Sequence, residues 1–192
     1  CETAPFMTVG ITDFRPKISM ILNLTEDHLN YFGTMENYIN CKKLVYKNQA
    51  GDDVCILNAD DPRTVALRDE PVMYFSRTQD IIEGALVKRN DIVVRIGRRD
   101  IPIMRVDEVK IPGPHNLENA LAAILAAYLM GVKPKEIRQA VMAFGGVEHR
   151  IETVRTLHGV TFINDSKATN PDSTIKAIQA MTKPTVLILG GS

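Results

Sequence analysis

Three short apolar runs, each released into polar residues, constrain this chain more than any other feature. Residues 18–24 read Ile-Ser-Met-Ile-Leu-Asn-Leu, residues 54–58 Val-Cys-Ile-Leu-Asn, and residues 72–75 Val-Met-Tyr-Phe. Runs this short and nearly continuous, without strict alternation, predict strands buried on both faces, the situation in a parallel sheet covered by helices. Between the first two, Thr34 predicts an N-cap for a helix to about Asn48, since Tyr38, Cys41 and Val45 recur at three and four positions while Glu36, Asn40, Lys43 and Lys47 line the other face. Asp61-Pro62 predicts a short helix with proline in its first turn. The fold class is therefore α/β.

From residue 81 to 110 the pattern changes to brief β-rich runs, predicting an antiparallel meander with hairpin turns at Asn90-Asp91 and Arg99-Asp100. After Pro112-Gly113-Pro114 comes the strongest helix, with Leu117, Ala120, Leu121, Ile124, Leu125 and Tyr128 in register and Gly131 as its stop; a second helix, from Pro134 to about Phe144, packs beside it. Gly145-Gly146 breaks the pattern, placing a domain boundary there: 1–147 form one domain and 148–192 begin another. The second opens with strands at 152–157 and 160–164 around His158-Gly159, a helix over 171–181 and a strand over 185–189 that exits through Gly190-Gly191-Ser192. The chain begins at Cys1 without an initiator methionine and is read as part of a longer protein.

With 23 Lys plus Arg against 23 Asp plus Glu, the basic excess expected of a nucleic-acid or anionic-membrane binder is missing. The three cysteines, Cys1, Cys41 and Cys55, have no metal-ligand spacing, and no apolar run approaches the roughly 20 residues of a bilayer span. A cytoplasmic protein acting on small molecules, monomeric and with neither a membrane nor a nucleic-acid partner, is expected.

Neither a GxxxxGK[ST] phosphate loop nor GxGxxG, GxSxG or HExxH occurs. Four polar groups nevertheless stand where ligands are met in α/β sheets. Asp27 and His28, beyond the first strand, could meet a divalent cation or phosphate, or could simply turn the chain and cap a helix. Lys42 lies on the apolar side of its helix, either snorkelling or desolvated for reactivity or modification. Asn116 and Asn119 open the strongest helix and could cap it or read a purine edge. Asn164 to Asn170 pack acid, base, hydroxyl and amide at a strand's carboxyl end, with Arg150 nearby, suggesting an anionic ligand between domains.

Taken together, NLTEDH (23–28), NADD (58–61), HNLENA (115–120), EHRIE (148–152) and NDSKATN (164–170) occur in an order that resembles the Mur ligases, over essentially the whole chain. The resemblance implies a cytoplasmic, ATP-dependent ligase of peptidoglycan synthesis. NDSKATN points, within the family, to the joining of D-glutamate to UDP-N-acetylmuramoyl-L-alanine through an acyl phosphate, with ATP and Mg2+. It implies the family's central ATPase domain, a mostly parallel sheet with a small antiparallel meander, and the start of a Rossmann-like C-terminal domain.

Carried over by motif, His28 resembles a magnesium ligand, with Asp27 a further member of the metal shell, and Lys42 a carbamylated lysine serving a second magnesium. Asn116 and Asn119 resemble adenine contacts, Arg150 and Asp165 contacts to ribose and phosphates, and Lys167 and Thr169 residues facing the muramoyl substrate and D-glutamate. Lys42, His28 and Lys167 are the implied catalytic set. The family's Glu-x-Ser-Ser-Phe segment is here Glu2-Thr3-Ala4-Pro5-Phe6, so Glu2 stands where a magnesium-binding glutamate would, with both serines lost. Without a phosphate loop, the chain alone is expected not to ligate, and the alternatives are a non-catalytic nucleotide-binding piece or another amide ligase of the superfamily.

Overall fold

A computed structural model describes residues 1–67 and 72–190. In chain order the elements are α1 (Pro5–Thr8), β1 (Ile18–Ile21), α2 (Leu29–Phe32), α3 (Met35–Lys43), β2 (Val54–Asn58), α4 (Pro62–Val65), β3 (Val72–Ser76), β4 (Gly84–Lys88), β5 (Asp91–Ile96), β6 (Arg99–Arg105), α5 (Pro114–Leu129), α6 (Pro134–Ala143), β7 (Glu152–Leu157), β8 (Val160–Asn164) and α7 (Pro171–Gln179). β1 to β6 form one sheet in sequence order: β1 to β4 are parallel, and β5 and β6 turn back antiparallel. β7 and β8 form a separate antiparallel pair.

Both faces of the large sheet are covered, as its continuous apolar strands require. On one face Ile56, Phe75, Ala85, Ile92 and Val94 pack against Leu121, Ile124 and Leu125 of α5 and Ile137 of α6. On the other, Ile21, Cys55 and Leu57 pack against Tyr38 of α3 and Tyr46. β6 forms an edge of the sheet, which is where Pro102, lacking an N–H, can sit opposite Val93.

Four boundaries depart from the sequence reading. β1 stops at Ile21, because beyond it side chains replace the ladder: the Asn58 amide donates to the Leu22 carbonyl at 3.0 Å, and the Asp61 carboxylate accepts from the Leu24 N–H at 2.9 Å. The helix begun by Thr34, whose hydroxyl accepts from the Asn37 N–H, tightens into a 3-10 turn over Leu44–Tyr46 instead of running to Asn48. The hairpin turns fall at Arg89-Asn90 and at Gly97-Arg98, whose positive φ values of 55° and 67° let the strands on either side pair directly, Ile96 opposite Arg99.

The predicted strand over 185–189 is absent: a strand persists through its ladder, no described strand lies beside this one, and Val186 and Ile188 are each 91% exposed. Gly191-Ser192, the end of its expected exit, lies outside the described residues.

Candidate functional site

The carboxyl ends of β1 and β2 are held open by the side-chain bonds that end them. Asn58 is buried; besides its bond to Leu22, its carbonyl oxygen Oδ1 accepts from the Asp60 N–H, and its backbone carbonyl accepts from Thr64 Oγ1. Asp61 caps α4 by accepting from the Arg63 N–H and fixes Leu24, while Arg63 donates to the Leu24 carbonyl at 3.0 Å. Burial would raise the Asp60 carboxyl, but hydrogen bonds from Thr78, Ser76 and the Arg77 and Thr78 amides hold it below the usual carboxylate range. These acids are occupied in shaping the loops.

The loops border a cleft of about 480 Å³, lined by Asn23, Thr25, Asp61 and Arg63 and completed by Glu118 of α5 and Asp172 and Lys176 of α7. Asp172 and Lys176 pair at 2.8 Å, and Glu118 pairs with Arg77 at 3.3 Å. Sequence reasoning missed Glu118, Asp172 and Lys176 as lining residues, because they sit on helices far along the chain and no local pattern marks them.

Asp27 and His28 follow this edge. His28 is left-handed, φ 52°, with its N–H on Asp27 Oδ1 at 2.9 Å and its Nε2 3.8 Å from Asp27 Oδ2; it caps no helix with its side chain. Lys42 is half-buried on α3, with Nζ 5.0 Å from the centre of the Tyr38 ring. Burial pushes its pKa down and the nearby Asp27 charge resists. A second long-range tie reaches the same place: the Asn170 amide, which caps α7, donates to Asp27 Oδ2 at 3.3 Å and so brings the end of NDSKATN to NLTEDH.

Among the described residues no three His, Cys, Asp or Glu side chains gather as a metal cluster, so Glu2, which is exposed, forms no ready-made triad with Asp27 and His28. Of this pair Asp27 supplies the carboxylate oxygens that a hard cation takes, and the half-exposed His28 imidazole is a nitrogen donor beside it.

Asn116 is buried and donates to the Pro112 carbonyl at 2.6 Å, its Oδ1 accepting from Asn119 at 3.4 Å; Asn119 itself is exposed. The neighbouring His115 Nδ1 is buried without a hydrogen-bond partner among the described residues, and burial, with the Lys176 and Arg150 charges, lowers its pKa against the pull of Asp165 and Asp172. Asp165 accepts the Ile151 N–H at 2.9 Å and the Lys167 N–H reaches the His149 carbonyl at 3.0 Å, while the side chains of Arg150, Lys167 and Thr169 are exposed.

A mostly parallel sheet covered on both faces, with a cleft and a carboxylate–imidazole pair at its strand ends, defines an α/β domain of the class that meets ligands at the carboxyl ends of its strands. The chain belongs to the Mur ligase family, whose middle-domain model matches residues 7–127. It is 48% identical over 193 residues to the UDP-N-acetylmuramoylalanine–D-glutamate ligase of Clostridioides difficile, covering 99% of this chain and 43% of that protein. The chain thus spans about two fifths of the length of such relatives. In fold it is similar to MurF from Acinetobacter baumannii (TM-score 0.67, 21% identity, 89% of this chain and 38% of that one) and to the UDP-N-acetylmuramate-alanine ligase MurC from Thermotoga maritima (0.65, 23%, 92% and 39%). No helix among the described residues is long and apolar enough to cross a membrane.

Proposed function

We propose that this chain is the nucleotide- and cation-handling part of a cytoplasmic, monomeric ligase that uses ATP to join D-glutamate to UDP-N-acetylmuramoyl-L-alanine. The observation that carries the reading is the 48% identity to a ligase of that name along 99% of the chain. Residues 1–147 are the central domain and 148–192 the opening of the next, a division supported by the buried clusters, which all lie at or before Ile137, and by the separate β7–β8 sheet.

In this reaction the alanyl carboxylate takes the γ-phosphoryl group of ATP and ADP leaves; the D-glutamate amine then attacks the acyl carbon, and phosphate leaves as the amide forms and the nitrogen gives up a proton. Magnesium, when bound, would neutralise charge on the transferring oxygens. Asp27 and His28 would hold it. Burial leaves more of Lys42 as the neutral amine, which adds to carbon dioxide with loss of a proton; the carbamate formed is an anion near Asp27, and a bound cation would offset the repulsion between the two. Asn116, tied to Pro112, orients Asn119 toward the adenine edge. Arg150 and Asp165 serve ribose and phosphates, and Lys167 and Thr169 face the muramoyl substrate and D-glutamate, brought near by the Asn170–Asp27 bond. Glu2 joins the metal shell only through movement of its segment.

The test is a chimera in which this chain replaces the matching segment of the Clostridioides difficile protein. It releases phosphate only with ATP, D-glutamate and the muramoyl substrate all present, whereas the 192-residue chain alone, with no phosphate loop, releases none. A folded chimera silent beside an active parent contradicts the reading.

A further inference from the structure

We propose that α1 is a positioning element that aligns His28 and Lys42, with Phe6 setting the His28 ring and Thr8 setting the backbone just before Lys42. The inference rests on the function proposed above for its consequence, but its geometry stands apart from it.

Four groups pin α1 to α3. The Thr8 hydroxyl, on a residue only 2% exposed, lies 2.7 Å from the Pro5 carbonyl and 2.8 Å from the Cys41 carbonyl, sharing its one proton between them. The Cys41 thiol donates back to the Pro5 carbonyl at 3.2 Å. Cys41 is the residue before Lys42, so this closed network fixes the turn of α3 from which the lysine projects.

The outer side of α1 carries Phe6. Its ring stands edge-on to His28 with centroids 5.2 Å apart, edge-on to Tyr31 at 4.8 Å and stacked on Phe32 at 5.3 Å. Phe6 is 43% exposed, so it is a poor core residue, and one of its three ring contacts is to a histidine whose backbone is already left-handed and whose ring, among the described residues, is otherwise approached by Asp27 at 3.8 Å. Both Phe6 and Thr8 sit on one four-residue turn, so one rigid piece holds both groups.

The chain's four histidines make the test tractable by 1H–13C NMR of the imidazoles, with His28 assigned through His28→Gln. Phe6→Leu is expected to move and broaden the His28 ring signals while far-UV circular dichroism is unchanged, and Phe6→Tyr, which keeps the ring, to restore them. Mn2+ added as the probe should bind about tenfold more weakly to Phe6→Leu than to the parent. Thr8→Val should shift the α3 amide signals around Lys42 and Thr8→Ser should not; this pair also decides the matter should Phe6→Leu fail to fold. If Mn2+ leaves the parent untouched while Phe6→Leu still moves His28, the cation reading fails and the positioning stands. His28 signals that superimpose in folded Phe6→Leu and parent, or α3 signals unmoved by Thr8→Val, overturn the proposal.

Discussion

Asn116 and Asn119 stand one turn apart on α5 with the same side-chain chemistry, yet the fold gives them different work. Asn116 is 8% exposed and spends its amide on the Pro112 carbonyl; Asn119 faces out. Asn116→Ala therefore gives up a partly buried hydrogen bond to the Pro112 carbonyl and should cost about 0.5–1.5 kcal/mol, while Asn119→Ala should stay within about 0.5 kcal/mol. Leu121→Ala, at a fully buried position, should cost about 2–5 kcal/mol by leaving a cavity. Urea titration of the three variants checks the order; equal losses at both asparagines would contradict it. The spacing placed both amides at the helix mouth, but could not tell a donor to the preceding carbonyl from a group left for a ligand, because that depends on where residue 112 turns. Lys42 was easier to read, since helical periodicity alone puts it with Tyr38, over whose ring its ammonium sits.

At the scale of elements, the strands of the large sheet and helices α3 to α6 were legible because each is marked by its own period or caps, whereas the four-residue α1 and α2 are too short to carry a period and were not read. Their ends were less so, since β1 gives way to the Asn58 and Asp61 side chains, which lie more than 35 residues away. The stretch 185–189 has the composition of a strand and lacks a described partner, so composition misled there. Gly84 shows how tightly the parallel and antiparallel parts meet. Its φ is 129°, and a Cβ on it would lie 1.7 Å from the Tyr74 carbonyl oxygen of β3. Backbone cannot retreat as a flexible side chain can, so Gly84→Ala should cost about 3 kcal/mol or more and loosen the β3–β4 pairing. Thermal unfolding with amide exchange on β3 measures it; a variant as stable and as protected as the parent would refute the argument.

For the whole molecule, the site depends on contacts between distant parts. Asn170 and Asp27, 143 positions apart, join the two motif clusters, and α7 supplies Asp172 and Lys176 to a cleft begun by β1 and β2. The motifs could be read one by one, but the cleft could not, because it exists only once α5 and α7 are docked. Ala180, just after α7, crowds Gly113 at the start of α5, a Cβ there falling 3.0 Å from it, which shows how closely the two helix ends approach. The proposed chemistry turns on Lys42 acting as an anion in company with Asp27 and His28. The most direct measurement is made in the Clostridioides difficile chimera, with Lys42→Ala assayed for D-glutamate-dependent phosphate release, with and without added formate or acetate. A loss of about 100-fold or more is expected, of the size seen when a charge-stabilising group is removed, with partial recovery when a small carboxylate fills the vacated place. Near-normal activity in Lys42→Ala, or a loss that no carboxylate repairs and Lys42→Arg does, would contradict it.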